Sequence, residues 1–482
     1  MPPKYILPII LCLSTLWACS AHSQVEQEST NVTSPAINDS GIVIQAVGEK
    51  EKEWKPRNTH PLASWPQAAQ LPPDKDFDKF GGITKRTHKA TGFFRVEKIG
   101  ERWMLIDPEG NEFYDTAVAA VRLENGPAAQ AAMNEKFGSK EGWAEATAKL
   151  LKSNGFRGTG AWSDDALMAK SPDRPVYTKT WSFMAQFAKQ YAGARMGTGH
   201  MAFKNDCVPV FHPEFEAFCN EYAKKMALSK DDPWLLGNFS DNELTFVKGS
   251  LSRYLQLPDG DAGHDAAWKW LRERYGPDAT ASQVTLLDER KFLTLVLDRY
   301  YRIVSTAMKK NDPNHLYLGS RFYGADRNIP ESFRAIAPYA DVISINWYNG
   351  WTPGEDDQVA MWARESGRPF MITEFYAKAI DSGLANTSGA GFLVHTQKER
   401  GLFYQNFTLG LIRSKSCVGW HWFRYADNDP SGAKEDPSNI DSNKGIVTCR
   451  YVPYSELLAM MKEVNERVFS LIDFFDGRKQ SN

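Results

Sequence analysis

The chain has 482 residues, with 57 Lys and Arg against 59 Asp and Glu, for a formal charge of −2. Its 24% charged and 42% apolar residues are those of a folded globular protein, not of a disordered or membrane-filling one. So balanced a charge argues against broad docking on nucleic-acid phosphates, while 15 Trp, 18 Tyr and 27 Phe point to a large core or to flat platforms on which sugar rings stack.

Residues 5–19 form an apolar run behind Lys4, too short and too Pro-interrupted to span a bilayer but suited to the apolar region of an export signal. Leu16-Trp17-Ala18-Cys19 resembles the lipobox of bacterial lipoproteins, where the Cys is acylated and the preceding peptide removed. A signal is therefore expected over 1–19 with Cys19 as lipid site, ordinary cleavage being the alternative. Residues 20–60 are rich in Ser, Gln, Glu, Asn and Thr, and a polar tether is expected over 20–75, ahead of one folded domain at 76–482. This places the protein outside the cytoplasm, anchored by lipid to the bacterial cell envelope or secreted.

Beyond Cys12 and Cys19 remain Cys207, Cys219, Cys417 and Cys449. An oxidising compartment permits one or two disulfides among them, but spacing assigns none. No CxxC pair and no HExxH occurs, so neither metal nor cofactor is expected.

From residue 93 to 114 apolar and polar residues alternate around Gly100 and Gly110, predicting antiparallel hairpins. Short apolar runs follow at 114–121, 155–160, 176–182, 234–239, 315–320, 341–347, 369–373 and 417–423. Helical stretches such as 141–153, 214–228, 288–310 and 397–415 lie between them, with 455–474 after the last. Eight strand–helix units predict an α/β fold, a (β/α)8 TIM barrel with an N-terminal β-hairpin extension and a helical insertion after strand four. No Gly-x-Gly-x-x-Gly follows any run, so a dinucleotide-binding open sheet lacks its signature.

In such a barrel, reactive groups stand at the C-terminal ends of strands. The fourth run leads into Asn242-Glu243 and the seventh into Glu374. A carboxylate directly after apolar sequence must reach solvent or enter a polar pocket. Strands four and seven face each other across the mouth, where two carboxylates can converge on one glycosidic bond. One would protonate the leaving oxygen; the other would attack the anomeric carbon or activate water.

The Asn-Glu after strand four and the Glu after strand seven are similar to those of retaining barrel glycosidases. Ile372-Thr-Glu-Phe-Tyr-Ala-Lys378, Asp381 to Gly391, Thr396-Gln397, Arg400-Gly401, Phe403-Tyr-Gln-Asn-Phe407, Val418-Gly-Trp-His-Trp-Phe423 and Asp427-Asn-Asp-Pro430 resemble glycoside hydrolase family 50, the β-agarases. Asp312 to Phe322 and Trp268 to Tyr275 resemble the same family and its β-galactosidase-like relatives. The resemblance implies hydrolysis of β-1,4-galactosidic bonds in a red-algal galactan with retention, Glu243 being acid/base and Glu374 nucleophile. Their carboxyls would then lie about 5–5.5 Å apart. The charge of Glu374 would help Glu243 keep its proton. Members of the family commonly carry a β-sandwich ahead of the barrel, for which too few residues separate Cys19 from the first hairpin; that leaves porphyran or carrageenan open beside agarose.

Strand-end position nominates further sugar contacts. Asn242 is placed for the sugar 2-hydroxyl, Tyr348 to hold the nucleophile, Arg321 to anchor sugar oxygens, and Asn386 or Ser388 to line the loop after strand seven. His421 and Trp422 offer a ring donor and a stacking face, although alternation sends adjacent side chains to opposite faces, so one of them needs a bulge or the strand's very end. Trp162, Asp164 and Arg122 are outer candidates. The Asp427-Asn428-Asp429 cluster lacks calcium-loop spacing and is read as a solvated or sugar-contacting loop. The rival from another class is a lipid-anchored glycan-binding protein without catalysis.

Overall fold

The computed structural model describes residues 41–192, 195–196, 201–355, 357–430 and 440–478. The expected signal, Cys19 and the first part of the expected tether lie outside the described residues. Eight strands run parallel in one curled sheet: β1 (Asp115–Val118), β2 (Gly158–Thr159), β3 (Val176–Thr180), β4 (Leu235–Phe239), β5 (Leu316–Tyr317), β6 (Ile343–Asn346), β7 (Phe370–Phe375) and β8 (Cys417–Trp422). Their order is β5-β4-β3-β2-β1-β8-β7-β6. The two edges meet just beyond β5, where Phe322 N donates to Ser344 O at 2.9 Å and Asn346 N donates to Phe322 O at 2.8 Å. The result is a TIM-like barrel, and its strands fall on the eight apolar runs of the sequence.

Helices pack outside the sheet. Leu286–Asn311 and Gln397–Arg413 each start with a capping box, Thr285 with Asp288 and Thr396 with Glu399, which satisfies N–H groups that have no partner inside the helix. Helices Ser250–Leu255 and Ala262–Tyr275 stand between β4 and the long helix leading to β5. Gln397–Arg413 is buried on almost every face. A Cβ on Gly401 would lie 2.7 Å from the Met460 side chain, so this helix packs close to Ser455–Asn465.

A separate four-stranded antiparallel sheet is built from Ile83–Thr87, Asn111–Phe113, Arg102–Ile106 and Arg95–Ile99, in that order. Phe94, Leu105 and Phe113 of this segment join Val176, Leu236, Leu316, Val342, Met371 and Val418 in one buried cluster. Those six stand at the N-terminal ends of β3 to β8, so the small sheet floors the barrel and leaves the opposite end as the mouth.

The expected tether is corrected by the structure from residue 41 onward. Ile42–Ala46 pairs with Lys55–Thr59 as an antiparallel hairpin. Ile44, Ala46, Leu62, Trp65 and Ala68 are buried in the main core. Composition misleads here because only a few residues of the hairpin, Ile44, Ala46 and Thr59, are buried, and most of the others are polar. Gln405 and Asn406 of the long buried helix hold this segment: Asn406 Oδ1 accepts from His60 N at 2.7 Å and Gln405 Oε1 from Leu62 N at 3.0 Å.

Cys207, Cys219, Cys417 and Cys449 are all free thiols. Among the described residues no helix is long and apolar enough to cross a membrane.

Candidate active site

Strict alternation along β7 would send Glu374 outward, since Met371 belongs to the inner cluster and Ile372 to the outer one. The strand avoids this with an extra residue. Ile345 pairs with Ile372 but Asn346 pairs with Glu374, and on the other side Ile372 pairs with Trp420 while Phe375 pairs with Trp422. The bulge turns both Thr373 and Glu374 into the mouth and returns Phe375 to the helical layer, re-aiming a functional side chain at the cost of one ladder position.

Glu374 is 5% exposed and richly bound. Arg321 Nη2 donates to Oε1 at 2.5 Å, Trp162 Nε1 donates to the same oxygen at 3.4 Å, and the Tyr348 hydroxyl donates to Oε2. Arg321 is itself buried, with Nη2 also donating to Thr373 O at 3.1 Å and its guanidinium lying 5.3 Å from the Phe239 ring. From the other side, Arg321 Nη1 donates to Asn242 Oδ1 at 2.8 Å. Asn346 Nδ2 donates to Glu243 Oε1 at 2.6 Å and reaches Asn242 Oδ1 at 3.3 Å, while its own oxygen accepts from Thr373 Oγ1 at 2.8 Å. One hydrogen-bonded network therefore joins both glutamates through Arg321, Asn242 and Asn346.

Backbone strain clusters at this spot. Glu243, Arg321 and Trp162 have φ of 50°, 56° and 69°, in the left-handed region that costs a non-glycine residue about 1–2 kcal/mol. Such strain is retained where packing over-determines a functional geometry. The electrostatics are opposed. Burial pushes the Glu374 carboxyl above the usual carboxylate range; the Arg321 charge resists, the Glu243 charge adds, and the hydrogen bonds from Tyr348 and Arg321 resist again. Burial likewise raises the Tyr348 hydroxyl, with the charges of Glu374 and Glu243 acting in the same direction, so the phenol stays a donor. The arrangement has one carboxyl held by three donors and a second, half-buried carboxyl on a separate strand end.

Of the residues nominated from sequence, Glu243, Glu374, Asn242, Arg321 and Tyr348 come together here, and Trp162 stands against Glu374. Others do not join them. Asn386 spends its amide on Ala379 O and Leu384 O, both at 3.0 Å, and its oxygen on Asn443 N at 2.8 Å, so it ties its own loop to the segment after β8. Ser388 donates to Asp441, in the segment after β8. Asp164 caps the helix Asp165–Met168 by accepting from Leu167 N at 3.1 Å, and Arg122 is half-buried after β1.

Trp420 and Trp422 face the outer helical layer. Trp422 lies 5.4 Å from the Phe375 ring and donates to Lys444 O at 2.9 Å, and with no exposure it offers no stacking face. His421 takes the inner face, as alternation requires, but is fully buried with Nε2 2.8 Å from Asp115 Oδ2. The Asp427 cluster is buried, not solvated: Asp427 accepts from Lys444 N, Gly445 N and the Tyr454 hydroxyl, and Asp429 accepts from Ala128 N. Among the described residues no group of His, Cys, Asp and Glu is arranged to hold a metal.

Sequence reasoning missed Asn346 and Thr373. The signal available was a polar residue on the inward side at the end of an apolar strand, Asn346 on β6 and Thr373 on β7.

No protein-family model matches the chain. Beta-agarase B of Vibrio sp. (strain JT0107) is 26% identical over 483 aligned positions, covering 80% of this chain and 49% of that protein, so the chain spans about half the length of this curated relative. The solved structure of an agarase, AgWH50C, superposes with a TM-score of 0.68 over 85% of this chain and 68% of that one, at 23% identity, a likeness of fold. The crystal structure of BpGH50 superposes with a TM-score of 0.77 at 30% identity, over 90% of this chain and 96% of that one. A match of that identity along nearly the whole of both chains carries the family, and the chain belongs to glycoside hydrolase family 50.

Proposed function

We propose that the protein is a retaining glycoside hydrolase that cleaves β-1,4-galactosidic bonds of agarose or agaro-oligosaccharides. The observation that carries this reading is the joined pair, Glu374 on the β7 bulge and Glu243 beyond β4, linked through Arg321, Asn242 and Asn346. Membership of family 50 and the name of the Vibrio relative support the galactan substrate.

In this mechanism Glu374 attacks the anomeric carbon while Glu243 gives its proton to the departing glycosidic oxygen. The C–O bond to the leaving sugar breaks as the bond to Glu374 forms. Water then enters where the leaving sugar stood, Glu243 takes its proton, and its oxygen displaces Glu374 from the face opposite that carboxylate, so two inversions give net retention. Arg321, Tyr348 and Trp162 hold the attacking carboxylate in line. Asn242 has its oxygen committed to Arg321 and Asn346, leaving its amide for a sugar hydroxyl, a bond that strengthens as charge develops.

The leader reading belongs to the same proposal: export, with lipid attached at Cys19, is supported by Lys4, the apolar run and the Leu-Trp-Ala-Cys motif. A Cys19→Ser chain expressed in bacteria is expected to leave the membrane fraction. Incubation with agarose, porphyran and carrageenan oligosaccharides tests the activity. New reducing ends from agarose, appearing first as the β-anomer by proton NMR, are expected. The α-anomer first would overturn retention, cleavage of a sulfated galactan alone would overturn the substrate, and binding without cleavage would overturn the enzyme.

A further inference from the structure

The hairpin Ile42–Ala46/Lys55–Thr59 does more than cover the barrel's flank. Its tip stands over a cleft of about 460 Å³ at the mouth, within the usual range for ligand sites. Glu49 and Lys50 from the tip face Tyr323 from the loop after β5, Tyr348 and Asn349 from the loop after β6, and Phe392. Glu243 and Glu374 do not line this space themselves. Tyr348 is the shared wall, because its ring borders the cleft while its hydroxyl binds Glu374. Tyr323 makes the second link. Its ring meets that of Tyr348 edge-on at 6.1 Å, and its hydroxyl, pushed up to about 12 by burial, also feels the charges of Glu49, Glu243 and Glu374. The cleft is thus the immediate neighbour of the reacting pair.

The tip is built to stay in place. Glu51 accepts from Gly48 N at 2.8 Å, from Lys55 Nζ at 3.0 Å and from Arg57. Val47 exchanges backbone hydrogen bonds with Leu393 at 3.0 and 2.8 Å. Trp54 stacks on His395 with centroids 4.1 Å apart, and Trp351 Nε1 donates to Thr59 Oγ1 at 3.0 Å. A two-stranded hairpin alone is marginal in water; these ties on both sides of the turn make it a wall. The tip's other charged side chains, Glu49, Lys50, Lys52 and Glu53, are all exposed, and of these Glu49 and Lys50 line the cleft. An acceptor, an ammonium donor, the exposed Asn349 amide and two tyrosine rings make the mixed surface that binds a hydroxyl-rich sugar.

We propose that the tip of the N-terminal hairpin, through Glu49 and Lys50, forms with Tyr323 and Asn349 a binding subsite for an uncharged galactan sugar next to the bond that is cleaved. This rests on the reading of Glu243 and Glu374 as a glycosidase pair. The test is steady-state kinetics on agaro-oligosaccharides of increasing length, for wild type and for Glu49→Ala, Lys50→Ala and the double variant. Both positions are exposed, so the melting temperature is expected to hold. The double variant is expected to raise KM about tenfold, as loss of hydrogen bonds to charged groups does, with kcat little changed. A KM equal to wild type at every length would overturn the subsite while leaving the proposed activity intact. If wild type releases no reducing ends, the proposed activity falls. Calorimetric binding of the same oligosaccharides to Glu374→Gln, with and without the hairpin substitutions, then decides the subsite. Weaker binding with the hairpin substitutions supports it; equal affinity, or none in either chain, overturns it.

Discussion

Tyr348→Phe removes one of the groups that set the charge of Glu374. The substitution keeps the ring, and with it the edge-on contacts to Tyr376 at 5.2 Å and Tyr323 at 6.1 Å, and removes the hydroxyl that donates to Oε2. A hydrogen bond to a charged group contributes about 1.5–3 kcal/mol, and at 1.36 kcal/mol per pH unit its loss moves a carboxyl by about one to two units. The direction follows from which form is favoured. The hydroxyl stabilises the ionised carboxylate, so without it Glu374 binds its proton more tightly, in the direction that burial already pushes it. Because attack needs the ionised form, activity rises as pH climbs through this ionisation. The acid limb of kcat/KM should therefore move to higher pH by about one to two units in Tyr348→Phe, with rates converging above it. The assay is reducing-end release from agaro-oligosaccharide across the pH range, beside a melting curve to show an intact fold. An acid limb that stays at the wild-type position would refute either the nucleophile assignment or the tyrosine's role in tuning it.

Glu374→Ala is expected to lower turnover by several orders of magnitude while calorimetry still detects oligosaccharide binding; loss of binding with a normal melting curve would place Glu374 in recognition instead. Asn386→Ala removes the hydrogen bonds to Ala379, Leu384 and Asn443 and leaves an alanine at φ 56°. That should destabilise by about 2–4 kcal/mol, read by urea unfolding, with KM for oligosaccharides held. Asp241 is buried, and burial pushes its carboxyl up to about 7 against bonds from Met184 N, Tyr300 and Ala185 N. The folded state then binds the proton more tightly than the unfolded one, so this group's contribution to stability falls as pH rises from about 4 to 7, at no more than ~1.4 kcal/mol per unit. Wild type should show that slope and Asp241→Asn should lose it; equal slopes would refute the assignment.

What sequence could reveal was the periodicity. Apolar runs of strand length placed all eight strands, and polar residues directly after runs four to seven picked out Asn242, Glu243, Arg321, Tyr348 and Glu374. It failed where one residue more or less decides a direction. The bulge at Thr373–Glu374 is invisible in composition, yet without it an inward Thr373 forces Glu374 outward. At β8 alternation correctly separated His421 from Trp422, but not which of the two faces is solvated; both turn out buried, one in the barrel and one under a helix. Asn386 looked like a sugar ligand because small residues and glycines surround it, and those same neighbours let the backbone fold back onto its amide. The hairpin at 42–59 was hidden for a different reason: its anchors, Asn406, Gln405, Trp351 and Leu393, lie more than 290 residues away in sequence. No local pattern carries pairing of that range.

The aromatic floor has a consequence for traffic. Phe80, Phe94, Leu105 and Phe113 fill the lower end of the barrel, so nothing passes through it from one side to the other. In the proposed hydrolysis, polymer, water and both fragments would share a single doorway, and the hairpin stands in part of it. On the proposed activity and subsite, a fragment lodged beside the hairpin would have to back out before the next chain could settle, and the grip that helps capture substrate would also slow its departure. Loosening that grip would trade capture for clearance, favouring turnover when sugar is plentiful and hindering it when sugar is scarce.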